Sequence, residues 1–350
     1  MALYLLPAVF LTACGGGGAN SGPISPSASN WLIPVDEVID GGPGKDGIPA
    51  IDAPRFQPIS LNVDSDPDGL IVGVLLDGEA KAFPRDILNW HEIVNDRTGQ
   101  TPMILNYCPL TGTGMAWYAD PTATRQTFGV SGLLYNSNLI LYDRETDSNW
   151  SQMLEMSVEG VRIGELAGRI QVLETTLATW ELMYPNAKLM TRVTGHTRDY
   201  DDTPYRRYET DEYLLFPVSN EDNRLHRKER VLGIRSATSS RVYQVAGFGP
   251  TTQTINDNFE GMPIIVVGNS ALKFGAIFER TLDDGTILNF TPRLGDLPNV
   301  MQDDESNVWN IFGKAVSGPR AGTDLRMTQS YTAMWFAWAT FFVNAEIYFN

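Results

Sequence analysis

The chain has 350 residues, 43% of them hydrophobic and 10% aromatic, with a formal net charge of −16 and a sequence pI of about 4.6. A surface this acidic repels nucleic acid and anionic lipid, so neither is expected as a partner of the folded part. The apolar content is enough for a real core, and at about 150 residues per domain the length fits two domains.

Residues 1–13 read as a lipoprotein signal peptide. The apolar run 2–13 is too short to span a bilayer. Leu11-Thr12-Ala13-Cys14 resembles the box at which a bacterial signal peptidase cuts before a cysteine that then receives a lipid. No Lys or Arg precedes Cys14, so the true start is expected upstream. Gly15 to Gly18 and the Gly/Ser/Pro/Asn stretch that follows make 14–30 a flexible tether. The expected location is the cell envelope, with a lipid on Cys14 holding the protein to a membrane and the chain facing the periplasm or exterior. Cys108 is then a lone thiol. Without an internal disulfide partner it is expected to be buried, metal-bound, reactive or paired between molecules.

Residues 31–69 form a lead-in segment whose Gly and Pro punctuation predicts extended chain and turns. Asp64-Ser65-Asp66-Pro67-Asp68-Gly69 imitates the start of a calcium loop. Position twelve of such a loop would be Leu75 rather than a bidentate Glu, so an acidic turn is expected. Residues 70–194 open with a hairpin, Leu70–Leu76 and 80–83 around Asp77-Gly78, closed by Pro84. A short helix is predicted over 86–95, with Asp86 as N-cap. Strands are predicted over 102–107, 115–118, 126–130 and 139–143, and a helix over 176–184 that stops at Pro185. Residues 195–230 are dense in charge and tyrosine and read as a solvated linker, with the Tyr-Leu-Leu-Phe-Pro-Val stretch packing. Residues 231–350 follow the order of 70–194, with a last helix near 331–342. Many short strands among few helices predict an α+β, antiparallel-β-rich fold.

The order of 70–194 recurs in 231–350 as two pseudo-symmetric repeats. Val94-Asn95-Asp96 matches Ile255-Asn256-Asp257 at an offset of 161 (255 − 94). Trp150 matches Trp309 at 159 (309 − 150), and Trp180 matches Trp335 at 155 (335 − 180). Matched positions are expected to be scaffold, and residues present in one copy only are where a site can lie. At an offset of 161, His91 falls opposite Thr252 and Cys108 opposite Asn269. The second copy is therefore expected to be degenerate and structural. The four matched tryptophans are assigned to core packing; Trp90 and Trp117 are the better cleft candidates.

Cys108 and His91 support two chemistries. A thiolate with a neutral imidazole starts a copper or zinc site, with His226 as third ligand and Met103 or Met115 as thioether options. Alternatively an imidazole beside a thiol makes a nucleophile, with Asn136 or Asn138 stabilising an oxyanion. Tyr135-Asn136-Ser137-Asn138 reads either as a polar turn or as the hydrogen-bonding wall of a pocket, in which Tyr135, Asn138 and Trp90 would hold a bound cofactor or small molecule. Thr111 stands where a dithiol motif would place a second cysteine, so dithiol redox chemistry is excluded.

The stretches NWHEIVND, YCPLTGT and TFGVSGLLYNSNLILYDRETDSNWSQ resemble a family of exported bacterial and archaeal proteins of unknown function, number 3179. The likeness runs from about Gly47 to the C-terminus and includes FPVSNEDNRLHRKERVLGI. Relatives often resemble C-P-L-C or C-P-L-T at the second motif, and this chain has Thr111. The resemblance places His91, Cys108, residues 135–138 and His226 in recurring motifs and implies no activity. The leading expectation is a lipid-anchored, extracytoplasmic protein that binds a metal, copper favoured over zinc, through Cys108, His91 and His226. The alternatives are a cysteine-dependent envelope hydrolase or acyl-transferase, with Cys108 as nucleophile, His91 as base and Asn136 as stabiliser, and a non-catalytic scaffold or small-molecule-binding protein.

Overall fold

A computed structural model of the chain describes residues 30–119 and 126–349. The expected signal peptide, Cys14 and all of the tether but Asn30 lie outside them. The described residues form six sheets, antiparallel apart from two strand pairs, and three helices: α1 (Arg85–His91), α2 (Leu177–Met183) and α3 (Trp335–Phe341). None of these helices is long and apolar enough to cross a membrane. The fold is β-rich α+β.

Turn chemistry sets the hairpins. Asp77 and Gly78 take φ of 52° and 77° between strands Leu70–Leu76 and Glu79–Pro84. Asn136 and Ser137 take 51° and 61° between Phe128–Tyr135 and Asn138–Asp143. Two consecutive left-handed residues match the right-handed twist of the flanking strands, and Asn and Asp tolerate that region best after glycine.

The helices are shorter than their apolar spacing predicts. The first starts at Arg85, and Asp86 is not its cap: Pro84 holds that position with no side-chain hydrogen bond. It ends at His91 because Glu92 turns to φ 57° and Ile93–Thr98 leaves as a strand paired with Thr101–Cys108. β-branched Ile93 and Val94 favour that strand. The last helix begins only at Trp335, because Ser330–Met334 is a strand paired with Arg230–Arg235. Helix α2 falls where expected, and the Thr176 hydroxyl accepts the Thr179 N–H at 3.1 Å as its cap. Residues 195–229 hold no helix or strand, yet Tyr200, Tyr208 and Lys228 are buried, and Leu214, Phe216 and Val218 pack on the core.

Strand orders in the two halves correspond. Val172–Thr176, Leu70–Leu76, Glu79–Pro84 and Lys188–Met190 lie side by side, the last pair parallel. Ser330–Met334, Arg230–Arg235, Ser240–Gln244 and Glu346–Ile347 lie in the same order with the same directions. Matched residues make matched contacts. Asn95 clamps the Phe128 backbone through its Nδ2 at 2.9 Å and its Oδ1 at 2.8 Å. Asn256 clamps Phe290 in the same way, both bonds at 2.8 Å. The Trp150 indole donates to Asp143 at 3.1 Å, and the Trp309 indole to Asp303 at 2.8 Å. Trp180, matched in sequence with Trp335, has its geometric counterpart in Trp338. Trp180 lies on Gly73 with Tyr184 at 4.7 Å; Trp338 lies on Gly233 with Phe342 at 4.8 Å.

These helices tie the halves together. Helix α3 packs into one core with Cys108, Leu139 and Trp150 of the first half. Helix α2 packs into another with Phe290, Val300 and Trp309 of the second. A Cβ on Gly233 would stand 2.3 Å from the Trp338 ring, too close for any real contact. Gly233→Ala is therefore expected to cost about 1–3 kcal/mol through overpacking. Gly247→Ala, whose Cβ would meet nothing nearer than 3.7 Å, is expected to cost less than about 1 kcal/mol. Urea unfolding of the two variants checks the difference.

Candidate functional site

The sequence Asn89-Trp90-His91-Glu92-Ile93 changes from helix to strand within one residue. Glu92 makes the change at φ 57° and ψ −35°, while its N–H still donates to Leu88 O at 2.8 Å and its carbonyl accepts the Tyr107 N–H at 2.7 Å. A non-glycine residue held there costs roughly 1–3 kcal/mol of backbone strain, and such strain gathers at functional sites. The turn sends the Glu92 side chain inward. Its carboxyl is buried, and among the described residues its hydrogen-bond partner is the Tyr205 hydroxyl, which donates to Oε1 at 3.0 Å. Burial pushes the carboxyl up to about 7, and the Tyr205 bond offsets only part of that. Burial likewise raises the Tyr205 hydroxyl far above the usual phenol range, so it remains a donor.

Glu92 and Tyr205 sit in the wall of a cleft of about 430 Å³. The rest of the lining is mostly apolar, with Ile48, Leu110, Val130, Leu134, Leu139 and Phe216 among its residues. Trp90 and Arg198 stand at the same cleft, the guanidinium 5.8 Å from the indole ring, and the Trp90 N–H donates to Asp202 O at 3.1 Å. One carboxyl that changes charge near neutrality thus lies in the wall of a mostly apolar cleft that also carries the Arg198 guanidinium. Such a group donates a proton below about pH 7 and accepts one above it.

The residues singled out by sequence separate in space. His91 is buried, its Nδ1–H donates to Pro49 O at 2.8 Å, and its Nε2 accepts from the Tyr200 hydroxyl at 2.7 Å. Both ring nitrogens are occupied, and burial lowers the imidazole to about 4, so it stays neutral. Cys108 is buried in the core that α3 completes, with Sγ 3.8 Å from Ser137 O. Burial, and then the Glu92 charge, push its thiol up to about 11. His226 lies at the surface, its Nε2 bonded to Glu212 at 2.7 Å. The trio expected to hold copper or zinc is not assembled: among the described residues no group of three or more His, Cys, Asp or Glu could hold a metal ion. Met103 accepts the Thr98 hydroxyl at 3.1 Å, and Met115 is a core residue.

Residues 135–138 form the turn described above and do not line this cleft. Asn136 Oδ1 accepts the Ser219 N–H at 2.7 Å, and the Ser137 hydroxyl donates to Phe216 O at 2.8 Å, so this turn anchors the segment between the halves. Asn138 donates to Thr111 Oγ1 at 3.0 Å and Gln152 Oε1 at 2.7 Å inside the core. Tyr135 packs edge-on against Phe341 at 5.3 Å. Trp117 is buried between Phe128 and Trp150 and is no cleft residue. Trp90 alone of the expected cofactor-binding set lines the cleft. Glu92 and Tyr205 were not singled out by sequence. The available signal was a glutamate at the break between a helical and a strand-forming pattern.

The family described as "Protein of unknown function (DUF3179)" matches residues 45–345. No curated protein and no solved structure matches the chain.

A thiol with this burial and this raised pKa reacts slowly. Iodoacetamide is expected to leave Cys108 of the native protein unmodified near neutral pH and to modify it fully in denaturant, as read by mass spectrometry. Rapid modification of the native chain contradicts the placement of Cys108.

Proposed function

The chain belongs to this family of unknown function, and we propose that it binds a small molecule through a largely apolar part that carries a polar group within reach of Glu92, which offers a proton to that group or takes one from it. The observation that carries the proposal is the Glu92 carboxyl, buried at a strained turn in the wall of an apolar cleft of about 430 Å³ and held by Tyr205. In its neutral form the carboxyl keeps one oxygen on the Tyr205 hydroxyl and offers its O–H to a carbonyl or ether oxygen of the ligand. In its charged form it draws a proton from the ligand's polar group. Tyr205 is a positioning residue. Nothing in the geometry favours Cys108 as a nucleophile, because its thiol is buried and fully protonated near neutral pH. Nothing favours a copper or zinc site at Cys108, His91 and His226 either.

We further propose that the protein works at the cell envelope, held by a lipid on Cys14. The support is the Leu11-Thr12-Ala13-Cys14 box followed by the glycine-rich tether. The correspondence of the two halves supports descent from one duplicated unit, in which the first copy kept the site.

Glu92 makes stability pH-dependent in a defined direction. Its folded pKa is raised above the ordinary 4.5 to about 7, so the folded state binds more protons between those values. The contribution of Glu92 to stability is then fullest below about pH 4.5 and is lost as pH rises through about 7, about 3 kcal/mol in all. Glu92→Gln, which cannot ionise, is expected to lose that part of the pH dependence and to be more stable than the natural chain at about pH 8. Urea unfolding across this pH range checks it.

Binding has its own sign. 2-Octanone carries only an acceptor, so it needs the neutral carboxyl. Its affinity, followed by ligand-observed NMR, is expected to fall several-fold as pH rises through about 7. In Glu92→Gln, whose amide donates at every pH, the affinity is expected to stay level. Affinity that does not change with pH in the natural chain contradicts the proposal, as does the absence of binding.

A further inference from the structure

A second cleft, of about 560 Å³, lies beside the apolar one, and the two share Asn89 and Tyr205 as lining residues. Its character is opposite. Four arginines, Arg85, Arg192 and Arg206 among them, line it together with six carboxylates that include Asp66, Asp201 and Asp202, so charges of both signs are interspersed with acids in excess. Arg85 is held by Glu209 at 2.7 Å, and Arg192 by Asp86 at 2.9 Å and Asp201 at 2.7 Å. Guanidinium groups fixed in this way keep further N–H donors, and the carboxylates keep further lone pairs. An anion entering this cleft meets carboxylates, and a cation meets guanidinium groups. A neutral group rich in hydroxyls meets neither penalty, because each hydroxyl donates to a carboxylate and accepts from a guanidinium.

The shared wall holds an unfilled acceptor. Asn89 is only 7% exposed, and its Oδ1 has no hydrogen-bond partner among the described residues. Its Nδ2 reaches the Thr203 hydroxyl at 3.5 Å. A buried carbonyl oxygen without a donor is unfavourable, and buried polar groups in folded proteins are paired with few exceptions. A ligand hydroxyl donating to Asn89 Oδ1 would fill it. The other shared residue, Tyr205, carries the hydroxyl that holds Glu92.

We propose that the polar cleft binds an uncharged, polyhydroxylated head group of the same ligand, whose largely apolar part fills the first cleft with its polar group (an ether oxygen at the junction with the head group) at Glu92, and that a head-group hydroxyl donates to Asn89 Oδ1. The ligand is thus a neutral sugar-headed or polyol-headed amphiphile. The proposal rests on the Glu92 cleft being a ligand site, and the two are separable by experiment. Four probes are titrated against the whole chain by ligand-observed NMR: octyl glucoside below its micelle-forming concentration, octyl sulfate, free glucose and 2-octanone. Octyl glucoside is expected to bind at least tenfold tighter than 2-octanone, and octyl sulfate and free glucose are expected to bind no tighter than 2-octanone. Asn89→Leu is expected to reduce octyl glucoside to the affinity of 2-octanone. It should leave thermal stability at or above that of the natural chain, because it removes an unfilled buried acceptor. Arg206→Ala, at an exposed position, is a second variant expected to weaken octyl glucoside alone. Equal affinity for octyl glucoside and 2-octanone, or Asn89→Leu binding octyl glucoside as the natural chain does, overturns the head-group proposal. If 2-octanone binding still follows Glu92, the site beside Glu92 stands. Failure of every probe to bind overturns both.

Discussion

One constraint shapes the candidate site: the chain must pass from helix to strand in a single residue. Helix α1 ends at His91, and the strand Ile93–Thr98 must begin at once to pair with Thr101–Cys108. Glu92 takes the whole change in direction at φ 57°. A glycine would do so without strain. A glutamate does so at a cost, and the turn that strains its backbone also buries its carboxyl. Burial then keeps the proton on that carboxyl up to about pH 7. The same turn places His91 where both ring nitrogens are bonded and Cys108 where a nearby acid discourages its ionisation. Three residues thereby differ in character: a buried acid, a neutral structural imidazole and a buried, protonated thiol.

The frame holding this turn is built by exchange between the halves. Helix α3 closes the core containing Cys108, and helix α2 closes the core around Trp309. The first half therefore keeps its site only while the second half is folded against it. The halves differ where the site lies. At the offset of 161 the counterpart of Glu92 is Gln253 (253 − 92), an exposed residue at the start of the strand Gln253–Phe259. In place of α1 the second half has the shorter 3-10 turn Val245–Phe248, which ends at Gly249. With glycine making the turn, the chain passes into its strand without strain and with no side chain to bury there.

Much of this frame was legible in the sequence. Asp77-Gly78 marks its hairpin because those residues reach left-handed φ cheaply. Asn95 and Asn256 stand out as a matched pair and prove to make the same two-bond clamp on Phe128 and Phe290. The first and last helices were drawn too long because apolar residues in Asp86 to Asn95 and Tyr331 to Phe342 satisfy helical spacing, while the competing strand pairings come from distant residues. The site was only partly legible. Trp90 was identified as a cleft residue, and Cys108 and His91 drew notice by rarity. Rarity does not report which way a side chain points or what fills its hydrogen bonds. Glu92 falls inside the predicted helix 86–95, and a non-glycine residue gives no advance sign of positive φ. Tyr205 lay in a segment whose charge suggested solvation, and its burial depends on packing that composition does not show.

The central claim is that Glu92 holds its proton to near neutrality inside the cleft. The direct measurement is an NMR titration of the protein with carbon-13 in its glutamate side-chain carboxyls, the Glu92 signal being identified by its absence from Glu92→Gln. The account predicts a Glu92 carboxyl that titrates near pH 7. A Glu92 signal that titrates near the ordinary 4.5 would contradict it.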